Sequence, residues 1–343
     1  MKKSKPGIPL INQNEKVFMD YFNKNWVKFM DDPRMKQSQI GLGNRLRPRL
    51  VFWSFIAEHF ESSLSVEQYE KVASLAACME LIHKSTILLD DWIDKDDARH
   101  GLSSFHIQYS PELMVMYALN ILSKSLTELN NLFFKNGNHE MYHICLNTLT
   151  ETMRLMTQGE IYELTLEGNE LYSVEKIQKI IRLETAELLT NSLLMGYYGG
   201  GGINQEVADT FRSIGYGCGY IFQCMNDLEP FCLKNENIKH KGNYNLDYDR
   251  DRKNIGIAML YQVANTKDRK LLESKPSYDE LILLFEKYEI IKFFLKDLND
   301  VDEKNIKKIR SLEDLGIDPL WCQAFIEFIT NVVSLCKSRL GEE

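Results

Sequence analysis

The chain has 343 residues, enough for one large domain or two. Its formal net charge is -8 and its acidic residues are dispersed, which argues against a nucleic-acid-binding protein, because such proteins normally carry a basic stripe. The seven cysteines are scattered and include no C-x-x-C pair. This pattern argues against a disulfide framework and a zinc site and is typical of reduced thiols in a cytosolic protein.

The sequence also bears on localisation. Residues 1–14 are polar and lack the apolar segment of a signal peptide. No uncharged apolar stretch approaches the length of a membrane span. We therefore expect a cytoplasmic protein with no transmembrane segment and no nucleic-acid partner.

Helical periodicity runs through most of the chain, as in Val17, Phe18, Tyr21 and Phe22, whereas convincing alternating strand patterns are absent. The spacing predicts helices near 14–30, 47–61, 66–95, 111–134, 138–167, 173–198, 204–229, 254–265, 277–298 and 317–338. We expect one all-α domain over residues 1–343, a large antiparallel helical bundle around a central cavity, with its sites built from side chains on facing helices.

The segment 90–94 (DDWID) closes an apolar helical run. Asp90 and Asp94 are spaced i and i+4, so they share one helix face. Two carboxylates this close repel unless a cation lies between them, and Mg²⁺ suits that position because it takes phosphate oxygens as further ligands. The alternative is an ordinary solvated turn after a helix.

A second segment, 43–48 (GNRLRP), places two guanidinium groups about forty residues upstream. Arg45 and Arg47 suit bidentate recognition of phosphate. The alternative is that Pro48 simply marks a helix start. The joint occurrence of the two segments, in this order and spacing, is far more specific than either alone.

Two helical stripes extend these segments. His83, Ile87, Asp90 and Asp94 fall on one face, with Thr86 beside them, and would line an interior cavity. A second stripe, formed by Gln223, Asn226 or Asp227, and Pro230, ends another helix. It offers a second, weaker set of oxygen ligands, Asn226 and Asp227, with Glu229 as a further candidate. The alternatives are a buried core histidine for the first stripe and a plain helix terminus for the second.

The motifs together resemble the trans-isoprenyl diphosphate synthase (polyprenyl synthetase) family of the isoprenoid-synthase fold. The resemblance covers roughly residues 41–260. The matching segments are 43–48 (family G-K-R-L-R-P), 80–94 (first aspartate-rich helix), 98–101 (R-R-G), 159–160 (G-Q), 183–186 (K-T-A or K-T-G), 222–227 (F-Q-x-x-D-D) and 247–256 (D-L-x-x-G-K-x-T-x-P).

The resemblance implies a site and its roles. Mg²⁺, about three ions bound together with the substrate diphosphate, would be held by Asp90, Asp94, Asn226 and Asp227, with Asp91 in support. Gln223 would stabilise positive charge near the cleaved carbon. The substrate-binding residues would be Arg45, Arg47, His83, Arg99, His100 and Arg252, with Ser85 and Thr86 at the floor of the prenyl tunnel. The family also implies a homodimer.

The chain departs from the family at several of these positions. Asn44 and His100 replace a Lys and an Arg of the isopentenyl diphosphate site, and Glu184 replaces a Lys that faces phosphate, unless its side chain turns away. In the second motif Asn226 replaces an Asp. An Asn can still bind Mg²⁺ through its amide oxygen, though more weakly than a carboxylate.

Three functions remain open. The first is a Mg²⁺-dependent prenyltransferase that ionises an allylic prenyl diphosphate and transfers the prenyl group to isopentenyl diphosphate or another acceptor. The second is a class I terpene synthase derived from this family, and the third is a non-catalytic partner subunit, against which the intact 90–94 segment argues. Small residues at 85 and 86 indicate an allylic substrate of roughly C15–C20 or longer.

Overall fold

The structure is a computed structural model that describes residues 7–38, 41, 43–60, 64–99, 101–134, 137–232 and 253–340. Helices α1 to α7 are Gly7–Phe29, Pro33–Gln37, Leu46–Phe55, Val66–Ile93, Phe105–Gln108, Pro111–Leu129 and His139–Leu164. Helices α8 to α15 are Val174–Ile181, Glu187–Gly199, Gln205–Leu228, Ile255–Val263, Thr266–Glu273, Tyr278–Lys287, Ile290–Ser311 and Pro319–Ser338. Strands β1 (Ala98–Arg99) and β2 (Leu102–Ser103) form a short antiparallel hairpin. The all-α prediction is confirmed.

Helix α4 is the central element of the bundle. It begins at a capping box, in which the Ser65 hydroxyl accepts from the Gln68 backbone N–H and the Gln68 side chain accepts from the Ser65 N–H. Its side chains are apolar on nearly every face, as expected of a buried helix. It packs against α1, α3, α6 and α9, so the residues at its C-terminal end project into the middle of the protein.

Two helices, α4 and α15, are long and apolar enough to cross a membrane by length and composition, which the sequence analysis did not anticipate. The most apolar window of α4 is 83% buried within the protein, as is typical of a core helix, whereas that of α15 is 44% buried. The apolar composition of α4 therefore follows from its central place in the bundle.

Close helix packing brings α7, α9 and α10 together. Helix α8 continues through a π-helical turn, Arg182–Ala186, into α9. A Cβ on Gly159 of α7 would come within 2.8 Å of the Glu184 side chain, and a Cβ on Gly219 of α10 would lie 2.3 Å from Ala186 Cα. Glycine at these two positions lets α7 and α10 approach the turn from either side, and the turn carries side chains toward the centre of the bundle.

Several predicted boundaries were wrong. The helix expected over 277–298 is interrupted at Glu289, whose φ of 49° ends α13 and begins α14. Helix α12 was missed because its sequence is mostly polar, and it is started by the Asn265 side chain, which accepts from the Asp268 N–H. The β1–β2 hairpin was also missed, since two residues per strand are too few to show an alternating pattern.

Candidate active site

A cavity of about 400 Å³ lies among α4, α7, the π-helical turn, α10 and α11. It falls within the usual size range of ligand pockets. Its polar lining consists of Arg47, His83, Thr86, Asp90, Asp94, Arg99, Thr157, Glu160, Glu163, Glu184, Thr185, Gln223, Asn226, Asp227, Lys253 and Asn254. The two predicted stripes therefore face one shared space, which we call the central cavity.

Asp90 and Asp94 lie at the C-terminal end of α4, and both line the central cavity. The pKa of the Asp90 carboxyl is held well above its usual range, first by burial and then by the nearby charges of Glu160 and Asp94. A cation at this position would remove that cost by compensating the negative charge.

Asp91 points elsewhere and holds Arg99. Its side chain is 1% exposed, and its Oδ1 accepts from Arg99 Nε at 2.8 Å, with a second guanidinium nitrogen at 2.7 Å. Arg99 lies on β1, and its guanidinium lines the central cavity. Asp91 therefore acts as the positioning group for Arg99, and its support of the metal ions stays a prediction.

A hydrogen-bonded chain fixes the second stripe. Thr185 Oγ1 donates to Gln223 Oε1 at 2.9 Å, and Gln223 Nε2 donates to Asp227 Oδ1 at 2.8 Å. The other Asp227 oxygen accepts from the Ile255 backbone N–H at 3.0 Å. The Asp227 carboxylate is therefore oriented from both α10 and α11, and Asn226 beside it also lines the central cavity.

Glu229 does not belong to this oxygen set. It is buried, and its carboxylate pairs with the Arg339 guanidinium near the end of α15, with Nε at 2.9 Å from Oε1. The suggestion that Glu229 joins Asn226 and Asp227 is wrong, because Glu229 lies in the 3-10 turn after α10, pairs with Arg339 and does not line the central cavity.

Glu184 faces the central cavity and does not turn away. Its Oε1 is buried without a hydrogen-bond partner among the residues that the structure describes. Burial raises the pKa of its carboxyl well above the usual range, and the charges of Glu163, Glu160 and Asp90 raise it further. The lysine of the resembling motif is therefore replaced by a buried carboxyl that faces the cavity and resists ionisation, so the positive charge is lost at this position.

The opposite rim of the central cavity is basic. Arg47 is 8% exposed, and its Nε has no hydrogen-bond partner within the described part of the chain. Burial lowers the pKa of this guanidinium to about 10, so it stays protonated at neutral pH. His83 lies beside it with its pKa well below the usual range, because of burial and then of the neighbouring charges on Arg47 and Lys84. A neutral imidazole can still donate one hydrogen bond.

Some predicted site residues lie off the central cavity. Arg45 donates to Glu80 Oε1 at 2.7 Å and to the Gly41 carbonyl, and its guanidinium stacks on the Trp26 ring at 4.7 Å. Thr86 lines the cavity, whereas Ser85 is buried behind it, and its hydroxyl has no partner among the described residues.

Two predicted residues, His100 and Arg252, lie outside the described residues. Their roles stay predictions. Next to Arg252 in sequence, Lys253 lines the central cavity, so a basic group from this segment does reach the rim.

The donor chemistry of the central cavity fits Mg²⁺. Among the described lining residues, Asp90, Asp94, Glu160, Glu163, Glu184 and Asp227 are acidic, whereas Arg47, Arg99 and Lys253 are basic. No group of three or more His, Cys, Asp or Glu in the described ranges is arranged to enclose a metal by itself. Mg²⁺ prefers oxygen ligands such as these carboxylates and is usually bound through one or two of them, with water and substrate phosphates completing its coordination.

Sequence reasoning missed four charged residues around the site, which are Glu160, Glu163, Lys253 and Lys84. Glu160 and Glu163 are spaced i, i+3 on α7, so a shared face was available as a signal. Glu160 was noted only as part of a motif match. Nothing in the sequence marked Lys84, which is buried beneath the 43–47 segment.

Comparisons with known proteins agree with the geometry. A family model described as polyprenyl synthetase matches residues 34–280. The short chain isoprenyl diphosphate synthase of Methanothermobacter thermautotrophicus is 24% identical over 253 residues, 72% of this chain and 73% of that protein. The geranylfarnesyl diphosphate synthase of Aeropyrum pernix is 22% identical over 272 residues, 77% of this chain and 82% of that protein.

The fold is shared with solved structures. A crystal structure of polyprenyl synthase from Caulobacter crescentus CB15, complexed with calcium and isoprenyl diphosphate, aligns with a TM-score of 0.78 and 18% identity. The alignment covers 97% of this chain and 99% of that one. The curated relatives are named as prenyl diphosphate synthases, which favours the prenyltransferase hypothesis over the other two. From its family match, its helical fold and the two aspartate-bearing helices that face one cavity, the chain belongs to the polyprenyl synthetase family.

Proposed function

We propose that the protein is a Mg²⁺-dependent prenyltransferase that ionises an allylic prenyl diphosphate and transfers the prenyl group to an acceptor. One observation carries the proposal, which is that a single cavity joins two oxygen-ligand sets to an apolar wall. The ligand sets are Asp90 and Asp94 on α4 and Asn226 and Asp227 on α10, and the apolar wall includes Ile87, Leu89, Met156, Leu188 and Phe222.

The ligand sets and Arg99 would receive the substrate diphosphate. Bound Mg²⁺ supplies the positive charge that stabilises the leaving diphosphate. Arg99, held in place by Asp91, offers a guanidinium to the same group, and such charge-assisted hydrogen bonds are strong. Asp90 and Asp94 would hold the metal from α4, and Asn226 and Asp227 from α10.

The apolar wall would hold the prenyl chain and exclude water from the reacting carbon. The C–O bond of the allylic diphosphate breaks with its electron pair leaving on the diphosphate. The acceptor's electron pair then forms a new bond to the allylic carbon, and the acceptor loses a proton to the departed diphosphate. The Gln223 carbonyl, fixed by Thr185, supplies a partial negative charge near this position.

The names of the relatives support isopentenyl diphosphate as the acceptor, which gives a longer prenyl diphosphate. The allylic substrate is proposed to have a chain of roughly C15–C20 or longer, which Thr86 supports because it leaves space on the cavity wall. By the same resemblance, we expect the enzyme to act as a homodimer, and the scattered cysteines without a C-x-x-C pair favour a location in the cytoplasm.

Product analysis tests the proposal. Purified protein is incubated with Mg²⁺ and geranyl, farnesyl or geranylgeranyl diphosphate, with and without isopentenyl diphosphate, and extracts are read by mass spectrometry. We expect a longer prenyl diphosphate only when isopentenyl diphosphate is present. A hydrocarbon or alcohol from the allylic substrate alone would instead mean a terpene synthase, and no turnover of any allylic diphosphate would refute the proposal.

A further inference from the structure

Three cationic side chains gather around Glu80 at the basic rim of the central cavity. Arg45 Nη1 lies 2.7 Å and Lys84 Nζ 3.6 Å from the same oxygen, Glu80 Oε1. Glu80 and Lys84 are 2% and 3% exposed, and Arg47 is 8% exposed. We call Arg45, Arg47 and Lys84 the basic cluster. It brings three positive charges into a part of the protein that water reaches poorly.

Arg47 is the member of the basic cluster that faces the central cavity. It makes no ion pair within the described part of the chain, and its buried Nε has no hydrogen-bond partner there. Glu80 is already shared by Arg45 and Lys84. A buried charge without a partner is costly, so this guanidinium is arranged to receive an anion from the cavity.

Lys84 lies directly under the 43–47 segment. Its Nζ is 3.2 Å from the position that a Cβ on Gly43 would take, and the φ of +131° at Gly43 favours glycine there. The next residue, Asn44, is exposed, and its Oδ1 accepts from the Leu46 N–H at 3.2 Å. The ammonium of Lys84 therefore comes up beside position 44, where the resembling motif carries a lysine.

The charges of the basic cluster act on one another. The pKa of Lys84 falls to about 8, first because of burial and despite Glu80, and Arg45 and Arg47 lower it further. The ammonium therefore stays largely protonated at neutral pH, and a bound anion would relieve the repulsion. Asp90 also attracts Arg47, but in the proposed function its charge is used by Mg²⁺.

We propose that Lys84 supplies the positive charge that position 44 lacks, so that Lys84, Arg47 and His83 maintain a metal-independent subsite for an acceptor carrying a diphosphate. This inference rests on the proposed prenyl transfer and specifies its acceptor class. Lys84 acts as a positioning residue, since it lies under the segment and not on the cavity wall. Asn44 and the lost arginine at position 100 do not by themselves imply that the acceptor has changed.

Calorimetric titration of isopentenyl diphosphate into protein in EDTA tests the subsite without the chemical step. We expect binding to the unmodified protein, and binding about tenfold to thirtyfold weaker in Lys84→Met, as expected for the loss of one charge at partly screened distance. Lys71→Met is the matched control, because it also removes a lysine from α4 but lies at a separate groove. No measurable binding to the unmodified protein, or equal affinity in Lys84→Met, would overturn the inference.

Moving the charge separates electrostatics from packing. Asn44→Lys in the Lys84→Met background should restore most of the lost affinity. The same substitution in the unmodified protein should tighten binding less than about threefold, since the cation is already present and the two sites are not additive. If Lys84→Met does not fold, Asn44→Lys in the unmodified protein decides alone, because residue 44 is exposed and its substitution should not disturb folding. A tenfold gain in affinity from Asn44→Lys would contradict the inference.

The proposed function can fail separately. Diphosphate release from geranylgeranyl diphosphate with Mg²⁺ and saturating isopentenyl diphosphate tests the proposed function, because excess acceptor offsets a weakened acceptor subsite. If neither the unmodified protein nor any variant releases diphosphate, prenyl transfer is refuted. The calorimetric result on the acceptor subsite would still hold. Release that persists in Lys84→Met while isopentenyl diphosphate binding weakens would support the assignment of Lys84 to the acceptor side.

Discussion

Arg99 Nε donates to Asp91 Oδ1 at 2.8 Å, and the pair connects the end of α4 to the β1–β2 hairpin. The middle residue of the aspartate segment is thereby engaged with a cation from the protein, whereas Asp90 and Asp94 face the cavity. Three neighbouring carboxylates of one segment thus have two different roles, which sequence spacing alone does not separate.

Asp91→Asn should therefore act on substrate binding. Arg99 would lose its ionic partner and its fixed orientation, and we expect the KM for the allylic diphosphate to rise about tenfold to a hundredfold, as is usual for groups that orient a ligand-binding residue. The Mg²⁺ concentration for half-maximal activity should stay unchanged, whereas Asp94→Asn should raise it. A Mg²⁺ requirement that is raised as much in Asp91→Asn as in Asp94→Asn would show that Asp91 is itself a metal ligand.

Glu184 gives a dependence of stability on pH. The folded protein holds this carboxyl protonated at pH values where the unfolded chain has released the proton. The folded state then binds more protons, so the free energy of unfolding of metal-free protein should fall as pH rises above the ordinary glutamate pKa. Glu184→Gln should flatten this fall in urea unfolding in EDTA between about pH 5 and about pH 8.

The control for this prediction is Glu175→Gln, which changes an exposed glutamate on α8. It should leave the slope of stability against pH as it is in the unmodified protein. Part of the slope should persist in Glu184→Gln, because the pKa of Asp90 is raised as well. A slope that is the same in Glu184→Gln and in Glu175→Gln would show that the Glu184 carboxyl is ionised in the folded protein.

Thr86 and Ser85 should respond differently to a bulky residue. Thr86→Phe places a ring on the cavity wall and should shorten the prenyl chain that is accepted or produced, as read by mass spectrometry of the products. Ser85 is 1% exposed and lies behind the wall. Ser85→Phe should instead overpack the core and cost about 1–3 kcal/mol of stability, with the chain length of any remaining product unchanged. If Ser85→Phe shortened the product chain and Thr86→Phe did not, Ser85 and not Thr86 would be the residue on the cavity wall.

Glu229 and Asp227 form a second contrasting pair. Glu229→Gln weakens the buried contact to Arg339 and should lower the free energy of unfolding by about 1–2 kcal/mol. Its Mg²⁺ requirement should not change. Asp227→Asn should raise the Mg²⁺ requirement, since Asp227 lines the central cavity. Metal titration of activity together with urea unfolding checks both, and a raised Mg²⁺ requirement in Glu229→Gln would put that carboxylate back among the ligands.

Sequence reasoning found the parts of the site that depend on helical geometry. Asp90, Asp94 and His83 share a face because they recur at helical spacing on α4, and that face does line the cavity. The long apolar helices were also predictable from periodicity. Glu229 was misplaced because the chain changes from α-helix to a 3-10 turn after Leu228, and such a change alters which way the next side chains point.

The features that escaped prediction depend on contacts between distant segments. Lys84 comes close to position 44 only because the 43–47 segment lies over α4. The direction of Glu184 depends on the π-helical turn and on Gly159, which lets α7 pack closely against it. Neither relationship has a local sequence signal, since each arises from packing between elements.

Diphosphate release from geranylgeranyl diphosphate is the most direct measurement of the central claim, which is that the carboxylates facing the cavity serve metal-assisted ionisation. It is measured in the presence of isopentenyl diphosphate, with and without Mg²⁺, in the unmodified protein, in Asp90→Ala and in Asp94→Ala, with circular dichroism to show that each variant is folded. We predict release that requires Mg²⁺ in the unmodified protein and is abolished in both variants. Release that persists without Mg²⁺, or in either folded variant, would contradict the account.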